Sequence, residues 1–176
     1  MTRSELEHVI RASAAILDVE DIVVVGSQSI LGRYPAAPTE LLESCEADIY
    51  PMTDPSRSAI VDAAIGEESR FHETFGYYAD GVDEKTSVLP PGWERRLVRV
   101  ANENTGGGVG WCLDPEDLAI AKHVAGRPKD IRFTEALVRH RMVDRETLLE
   151  RLDSMELPTE TRAVITGRIA AQFSIG

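Results

Sequence analysis

The sequence predicts an α/β (α+β) fold, in which a small mixed sheet is flanked by helices and followed by a carboxy-terminal helical unit. Up to residue 113, short β-branched runs alternate with helical patterns. From residue 114 onward, successive helix-start signals open helical patterns. With 176 residues, 43% of them hydrophobic, the chain can close one core. We therefore divide it into an α/β core, 1–113, and a helical subdomain packed on it, 114–176.

The amino-terminal elements follow from local patterns. Residues 2–17 place apolar side chains at helical spacing behind a capping box, which predicts a first helix. The unbroken apolar run 21–25 ends at Gly26 and predicts a strand covered on both faces. The alternating run 45–50 predicts the next strand.

Later elements are marked by turn and capping residues. Asp54-Pro55 is typical of a helix start and Gly66 of its end, and this helix should bury three side chains, those of Ile60, Val61 and Ile65. Three further runs predict strands: 75–79, 96–101 and 109–113. Helical patterns then begin at three positions: Asp114-Pro115, Asp144 and Pro158-Thr159.

Charge and hydropathy exclude several classes of protein. The chain has 19 Lys and Arg against 30 Asp and Glu, a net charge of -11, which argues against a surface that binds duplex DNA by charge. Its longest apolar run, 22–25, is far below the roughly 20 residues of a membrane span. With no signal-peptide pattern, we expect a soluble cytoplasmic protein. Cys45 and Cys112 are expected to be reduced thiols in buried strands.

Two acidic residues alternate within the second predicted strand. Glu46 and Asp48 should face the same side, about 7 Å apart, while the residues between and around them face the other. Such a pair suits a divalent cation, because Mg²⁺ takes one or two carboxylates and completes its shell with water and phosphate oxygens. The alternative is an edge strand whose polar face is wet.

The turn after the first strand suggests a phosphate site. Gly26 allows backbone to approach a ligand, and the turn's N–H groups with the Ser27 hydroxyl can hold a phosphate. Strand, Gly-Ser turn, short helix, and a strand with Glu46 and Asp48 together resemble the polymerase-beta-type nucleotidyltransferase superfamily. The segment 113–130 resembles the small bacterial members of that superfamily, including toxins of abortive-infection and toxin–antitoxin systems.

The resemblance implies a cofactor, a substrate and partners. Glu46 and Asp48 would hold Mg²⁺ or Mn²⁺, and the substrate would be a nucleoside triphosphate (NTP). The acceptor would be a hydroxyl of RNA, protein or a small molecule, and a cognate antitoxin would be a protein partner. Glu46 stands where the family more often has Asp. The third carboxylate has two candidates, Asp80 and Asp83, and either could be a turn residue.

A basic segment follows the helix start at Asp114. Lys122 lies on a helix that must pack, so its ammonium should run along the core edge into a cleft, where it would neutralise triphosphate charge with Arg127. Asp130 could orient a basic side chain or help activate the acceptor. The window 122–141 holds six basic and two acidic residues, although a solvated helical hairpin would show the same charges.

Three functions remain open on the sequence alone. The first is a Mg²⁺-dependent nucleotidyltransferase, with Glu46, Asp48, Lys122 and Asp130 as catalytic candidates. The second is a catalytically inactive relative that binds or regulates. The third is an acidic adaptor, which would expose an apolar patch on the helices of 114–176. The glycine-rich run 106–110 lacks the Lys-Ser/Thr of a P-loop, and the four histidines lack zinc spacing.

Overall fold

A computed structural model describes residues 1–175 of the chain. Within that range there are five strands and eight α-helices: the strands and four of the helices lie before residue 113, and the other four helices follow it. The strands are β1 (Asp21–Val25), β2 (Glu46–Pro51), β3 (Tyr78–Gly81), β4 (Val98–Val100) and β5 (Val109–Cys112). The helices are α1 (Arg3–Leu17), α2 (Ile30–Arg33), α3 (Ser58–Ile65), α4 (Arg70–Phe75), α5 (Pro115–Ala125), α6 (Pro128–Arg139), α7 (Arg145–Asp153) and α8 (Thr159–Ile175).

The strands form one mixed sheet in the order β3-β2-β1-β5-β4. β1 runs antiparallel to β2 and parallel to β5, while β2 and β3 are parallel and β4 and β5 antiparallel. The fold class expected from the sequence, a small mixed sheet flanked by helices and followed by helices, is confirmed. Ile22–Val25 are buried on successive positions, so both faces of β1 are covered, as its apolarity predicts.

The first helix begins as its sequence predicts. Thr2 is the N-cap, Glu5 completes the capping box, and the left-handed residue Asp18 ends the helix. Three aliphatic side chains on its inner face, Leu6, Ile10 and Leu17, have no exposed surface. α1 packs on the sheet and on α3, which fixes one layer of the core.

One predicted strand is partly a helix. Residues 75–79 were expected to be extended, but α4 runs to Phe75 and β3 begins only at Tyr78. The Ser69 hydroxyl caps α4 by accepting a hydrogen bond from the His72 amide, and Gly76, with φ of 77°, ends it in the left-handed conformation. Ser69 and Gly76 are the sequence signals for a helix at this place, but the aromatic composition of the run favours a strand.

Smaller predictions also need correction. Cys45 precedes β2 and is exposed, so only Cys112 is a buried thiol, and both are free. Ile60 is 43% exposed, because it lies on the outer side of α3 from Val61. The helix at Asp54 opens with a 3₁₀ turn, Pro55–Arg57, before α3 itself. The strand expected at 96–101 shortens to β4.

The carboxy-terminal helices begin where their signals predict. Asp114 caps α5 ahead of Pro115, and Asp144 caps α7 by accepting a hydrogen bond from the Thr147 amide. The division at 113 stays a prediction, and its last residue, Gly176, lies outside the described residues. No helix among the described residues is both long and apolar enough to span a membrane.

The described part of 114–176 leaves little apolar surface for a partner. Among residues 114–174, Val164 is the single large hydrophobic residue with an exposed side chain. An adaptor would need a contiguous apolar patch there, so this arrangement disfavours the third hypothesis.

Candidate nucleotide and cation site

The turn after β1 brings backbone against a carboxylate. Val25 pairs with Asp48 across the antiparallel β1–β2 ladder, so the next residue, Gly26, lies beside the Asp48 side chain. A Cβ atom at Gly26 would stand 1.7 Å from Asp48 Oδ2, and the φ of Gly26 is +64°. Both the space and the backbone conformation therefore require glycine at this position.

Three carboxylates share one face of the sheet. Glu46 and Asp48 alternate on β2, as expected, and both are half-buried. β3 runs parallel to β2 with Asp80 in register with Asp48, so the Asp80 side chain lies on the same face. Asp83 lies beyond the strand, where its exposed carboxylate caps a short 3₁₀ turn by accepting from the Lys85 amide. Of the two candidates for the third carboxylate, Asp80 is the one at the site.

Two of the three carboxylates, those of Asp48 and Asp80, have raised proton affinity. Burial first, and then the charge of Glu46, raises the pKa of Asp48 to about 6, against the opposing effect of Lys122. Burial and the nearby charges of Asp62 and Glu46 likewise raise the pKa of Asp80. An unpaired acidic cluster of this kind is electrostatically frustrated, and a cation placed among the carboxylates would relieve it.

A tyrosine fixes one of the acids. The Tyr78 hydroxyl donates a hydrogen bond to Glu46 Oε2 at 3.1 Å, and the two residues are register partners on β3 and β2. The ring of His72 stacks against Tyr78 with centroids 4.6 Å apart. Sequence reasoning did not include Tyr78 in the site, because its pairing with Glu46 depends on a strand register that the sequence does not encode locally.

Lys122 reaches the Gly-Ser turn from α5. Its side chain is 11% exposed, and its Nζ atom donates to Ser27 Oγ at 2.9 Å. The same ammonium lies 3.3 Å from Asp130 Oδ1 and 5.4 Å from the centre of the Phe133 ring. Burial lowers the pKa of Lys122, while Asp130 and Asp48 oppose that effect. The expected placement of this lysine at the cleft and the turn is what the structure has.

Asp130 organises the neighbouring cations. Its carboxylate accepts hydrogen bonds from Arg127 Nε at 2.6 Å and from Arg127 Nη2 at 3.2 Å, besides the ion pair with Lys122. Burial alone would raise the pKa of Asp130, but the bonds from Arg127 and the charge of Lys122 outweigh it and lower the pKa. A carboxylate held ionised in this way suits the orienting role better than proton abstraction from an acceptor.

These groups line one concavity. A cavity of about 210 Å³, here called the acidic cleft, is lined both by the carboxylates and by the cations. A larger cavity of about 390 Å³, here called the outer cleft, adjoins it and shares Ser27, Glu46, Lys122 and Lys129. The residues that we use to define the acidic cleft are Ser27, Glu46, Asp48, Asp80, Lys122 and Arg127.

The basic window contributes unevenly to these clefts. Lys129 and Arg132 line the outer cleft, where sequence reasoning had named only the charge of the segment. Arg139 instead pairs with Glu40 at 2.7 Å, and His140 lies against the same carboxylate. Part of the segment is therefore a paired surface, as the alternative interpretation expected, and part faces the clefts.

The carboxylates fit an open cation site. Among residues 1–175 no cluster of three or more His, Cys, Asp or Glu side chains is arranged to hold a metal ion by itself. Mg²⁺ does not require such a cage, since it commonly keeps several waters and takes one or two carboxylates plus substrate phosphates. Glu46 and Asp48 supply two carboxylates, and a bound cation would oppose the burial and the Glu46 charge that raise the pKa of Asp48.

One of three comparisons with known proteins identifies a family for this chain. A family model described as a nucleotidyltransferase of unknown function (DUF6036) matches residues 4–166. The match spans nearly the whole chain, and the protein therefore belongs to this nucleotidyltransferase family. Searches of curated proteins and of solved structures returned no match.

Proposed function

We propose that the protein transfers a nucleotidyl group from an NTP to a hydroxyl acceptor, with a divalent cation, Mg²⁺ or Mn²⁺, held by Glu46 and Asp48. The observation that carries the proposal is that one cleft is lined by the acidic side chains of β2 and β3 and by the hydrogen-bonded pair Lys122 and Ser27. Membership of the nucleotidyltransferase family supports the reaction class.

The residues that carry N–H and O–H donors in the acidic cleft would bind the triphosphate. The Ser27 hydroxyl and the Lys122 ammonium, already 2.9 Å apart, would bind phosphate oxygens of the triphosphate. Arg127, oriented by Asp130, would balance the remaining negative charge at the edge of the acidic cleft. When bound, the cation would polarise the transferring phosphate and offset the carboxylate charge.

The transfer itself needs one proton acceptor. The acceptor hydroxyl oxygen forms a bond to the α-phosphorus, the bond from that phosphorus to the bridging oxygen breaks, and pyrophosphate leaves. We assign the released proton to Asp80, because it stands beside Asp48 on the neighbouring strand and its raised pKa favours accepting a proton. In-line positioning and fixed charges, rather than a covalent intermediate on the protein, would supply the catalysis.

The test is transfer of label from an α-labelled triphosphate. Purified protein is incubated with each of the four ribonucleoside triphosphates and Mg²⁺, and separately with cellular RNA, protein and small molecules. We expect wild type to label one acceptor class and Asp48→Asn to lose at least about 100-fold of that rate. Asp83→Asn is the matched control, since it removes a nearby carboxylate that lies outside the acidic cleft. Equal labelling by Asp48→Asn and wild type would contradict the proposal.

A binding module without transfer activity is the second candidate. It is favoured by the lack of a complete metal-holding cluster among the described residues and by Glu46 being engaged by Tyr78. A Mg²⁺-dependent rise in melting temperature with a triphosphate, about 2.7 kcal/mol of stabilisation at 100 times the dissociation constant, together with no labelling of any acceptor, would select it. The toxin role, the cognate antitoxin, the acceptor class and the cytoplasmic location stay proposals based on the sequence.

A further inference from the structure

A small cavity opens from the acidic cleft on the side of α5. It measures about 160 Å³ and shares Asp48, Lys122 and Arg127 with the acidic cleft. Gly26 also borders it, so the cavity adjoins the same turn whose serine hydroxyl meets Lys122. We call this cavity the α5 recess. It is contiguous with the proposed phosphate site but takes no part in the chemistry assigned above.

The walls of the α5 recess differ from those of the two clefts. Leu118, Ala121 and Ala125 line it from positions three and seven residues apart on α5, which places them on one face of the helix with Lys122. The two alanines leave open space that a larger side chain would fill. Val88 also lines the recess, and it is a large apolar side chain that is 48% exposed.

We propose that the α5 recess binds the base of the nucleoside triphosphate whose phosphates lie against Ser27 and Lys122. This inference rests on the proposed function and names where that substrate's base lies. A base is a flat ring with apolar faces and polar edges, which matches apolar walls joined to the hydroxyl-bearing residues Thr86 and Ser87. The recess is smaller than the roughly 300–1,000 Å³ of clefts that enclose whole drug-sized ligands, so it suits one ring system.

The outer cleft is the competing location, and its chemistry is less suitable. Seven of the eleven residues that line it are charged, against three of eleven for the α5 recess, so a ring entering it would displace water from more charged groups that it cannot pair. The one aromatic side chain there, Phe133, already lies under the Lys122 ammonium. The outer cleft is better suited to a polar acceptor than to a base.

The experiment measures the contribution of the base to binding affinity separately from that of the phosphates. Affinities are measured by titration calorimetry with Mg²⁺ for each of the four ribonucleoside triphosphates and for inorganic triphosphate, which lacks a base. We expect wild type to bind at least one nucleotide roughly tenfold or more tighter than inorganic triphosphate, because the base would bury apolar ring surface against the aliphatic walls of the recess. Ala125→Phe, which fills the recess from an exposed helix end, should remove that advantage and leave inorganic triphosphate within about twofold.

Two further variants control for folding and bulk. Val88→Ser removes an apolar wall without adding volume, and we expect it to weaken nucleotide binding several-fold but not inorganic triphosphate binding. Ala15→Phe adds the same side chain at an exposed position of α1, away from the recess, and should change neither. Unfolding curves confirm that each variant is folded.

The outcomes distinguish this inference from the function on which it rests. Nucleotide affinity unchanged in both Ala125→Phe and Val88→Ser, or equal affinities of wild type for nucleotides and inorganic triphosphate, overturns the base site. Loss of nucleotide affinity in these variants, with no transfer by wild type to any acceptor, supports the base site and contradicts the transfer reaction. Failure of wild type to bind any triphosphate overturns both.

Discussion

Two groups of buried acidic side chains in this protein are treated in opposite ways. At the start of α5, Asp117 has no exposed surface and accepts hydrogen bonds from Arg96 at 2.8 and 2.9 Å, with Arg151 at 3.1 Å. Arg151 also bonds to Asp114, the cap of α5. In the acidic cleft, by contrast, Asp48 has no hydrogen-bond donor or ion pair among the described residues, and its closest charged neighbours include other carboxylates.

The difference separates a structural use of charge from a functional one. Asp114 and Asp117 are paired within the fold, and they tie the loop before β4 and the helix α7 to α5. Ionised Asp48, whose pKa burial and the charge of Glu46 raise, instead adds to the free energy of the folded protein, a cost that persists only where the surrounding structure fixes the side chain in place. We therefore expect the same chemical change to have opposite effects on stability in the two groups.

The largest expected effect on stability is a loss at Asp117, the paired carboxylate of α5. Asp117→Asn leaves Arg96 and Arg151 without their shared carboxylate, and breaking a buried ion pair costs about 3 kcal/mol or more. Urea unfolding at pH 7.5 measures this loss. A decrease below about 1 kcal/mol would contradict the structural role that we assign to the pair.

The next effect is a gain in stability at the unpaired group, and it depends on pH. The pKa of Asp48 is raised from 3.8 to about 6, so the folded protein binds this proton more tightly than the unfolded chain does. Its contribution to stability is therefore lost as pH rises from about 4 through 6. Without divalent cation, Asp48→Asn should be more stable than wild type by of order 2 kcal/mol at pH 7.5 and by nearly nothing at pH 4.

The difference in stability between wild type and Asp48→Asn reports on the Asp48 carboxyl. Glu116, whose pKa is raised to about 7 by burial and by Asp114, also titrates in this range, but it is present in both proteins and cancels in the difference. Addition of Mg²⁺ should stabilise wild type and reverse the order. An Asp48→Asn protein that is less stable than wild type without cation would show that the carboxylate is satisfied by the fold.

The smallest effect is at the hydroxyl that holds Glu46. Tyr78→Phe removes one hydrogen bond of 3.1 Å, and we expect a loss of less than about 1 kcal/mol in stability. Because Glu46 would then be free to rotate, the dissociation constant for Mg²⁺ should rise about threefold, measured by titration calorimetry. An unchanged or lower dissociation constant would mean that Tyr78 does not position Glu46 for a cation.

The fold was largely predictable because its signals are local. Capping residues such as Thr2 and Asp114 mark helix starts regardless of tertiary context, and the unbroken run of β1 requires cover on both faces. The prediction of a strand at 75–79 was wrong in part, because the strand-like composition of this run outweighed the two weaker capping signals of α4. The predicted burial of Cys45 and Ile60 was wrong, because a displacement of one residue moves a side chain to the surface. Cys45 precedes β2 by one residue, and Ile60 lies beside the buried Val61 on α3.

The site was predictable only in part, because its assembly depends on strand register. The alternation of Glu46 and Asp48 fixes their shared face from the sequence, and the helical position of Lys122 directs it inward. The choice of Asp80 over Asp83, and the bond from Tyr78, require the pairing of β2 with β3, which are separated by two helices. No local pattern contains that pairing.

The contact between Gly26 and Asp48 has a consequence for how the gene can vary. Gly26 lies in a turn outside the hydrophobic core. At such positions a mutational scan ordinarily tolerates most replacements. Every other amino acid would place an atom where the Asp48 carboxylate already is. In a saturation library selected for folding, position 26 should therefore behave like a core position, and substitutions that survive there should be accompanied by a smaller side chain at position 48.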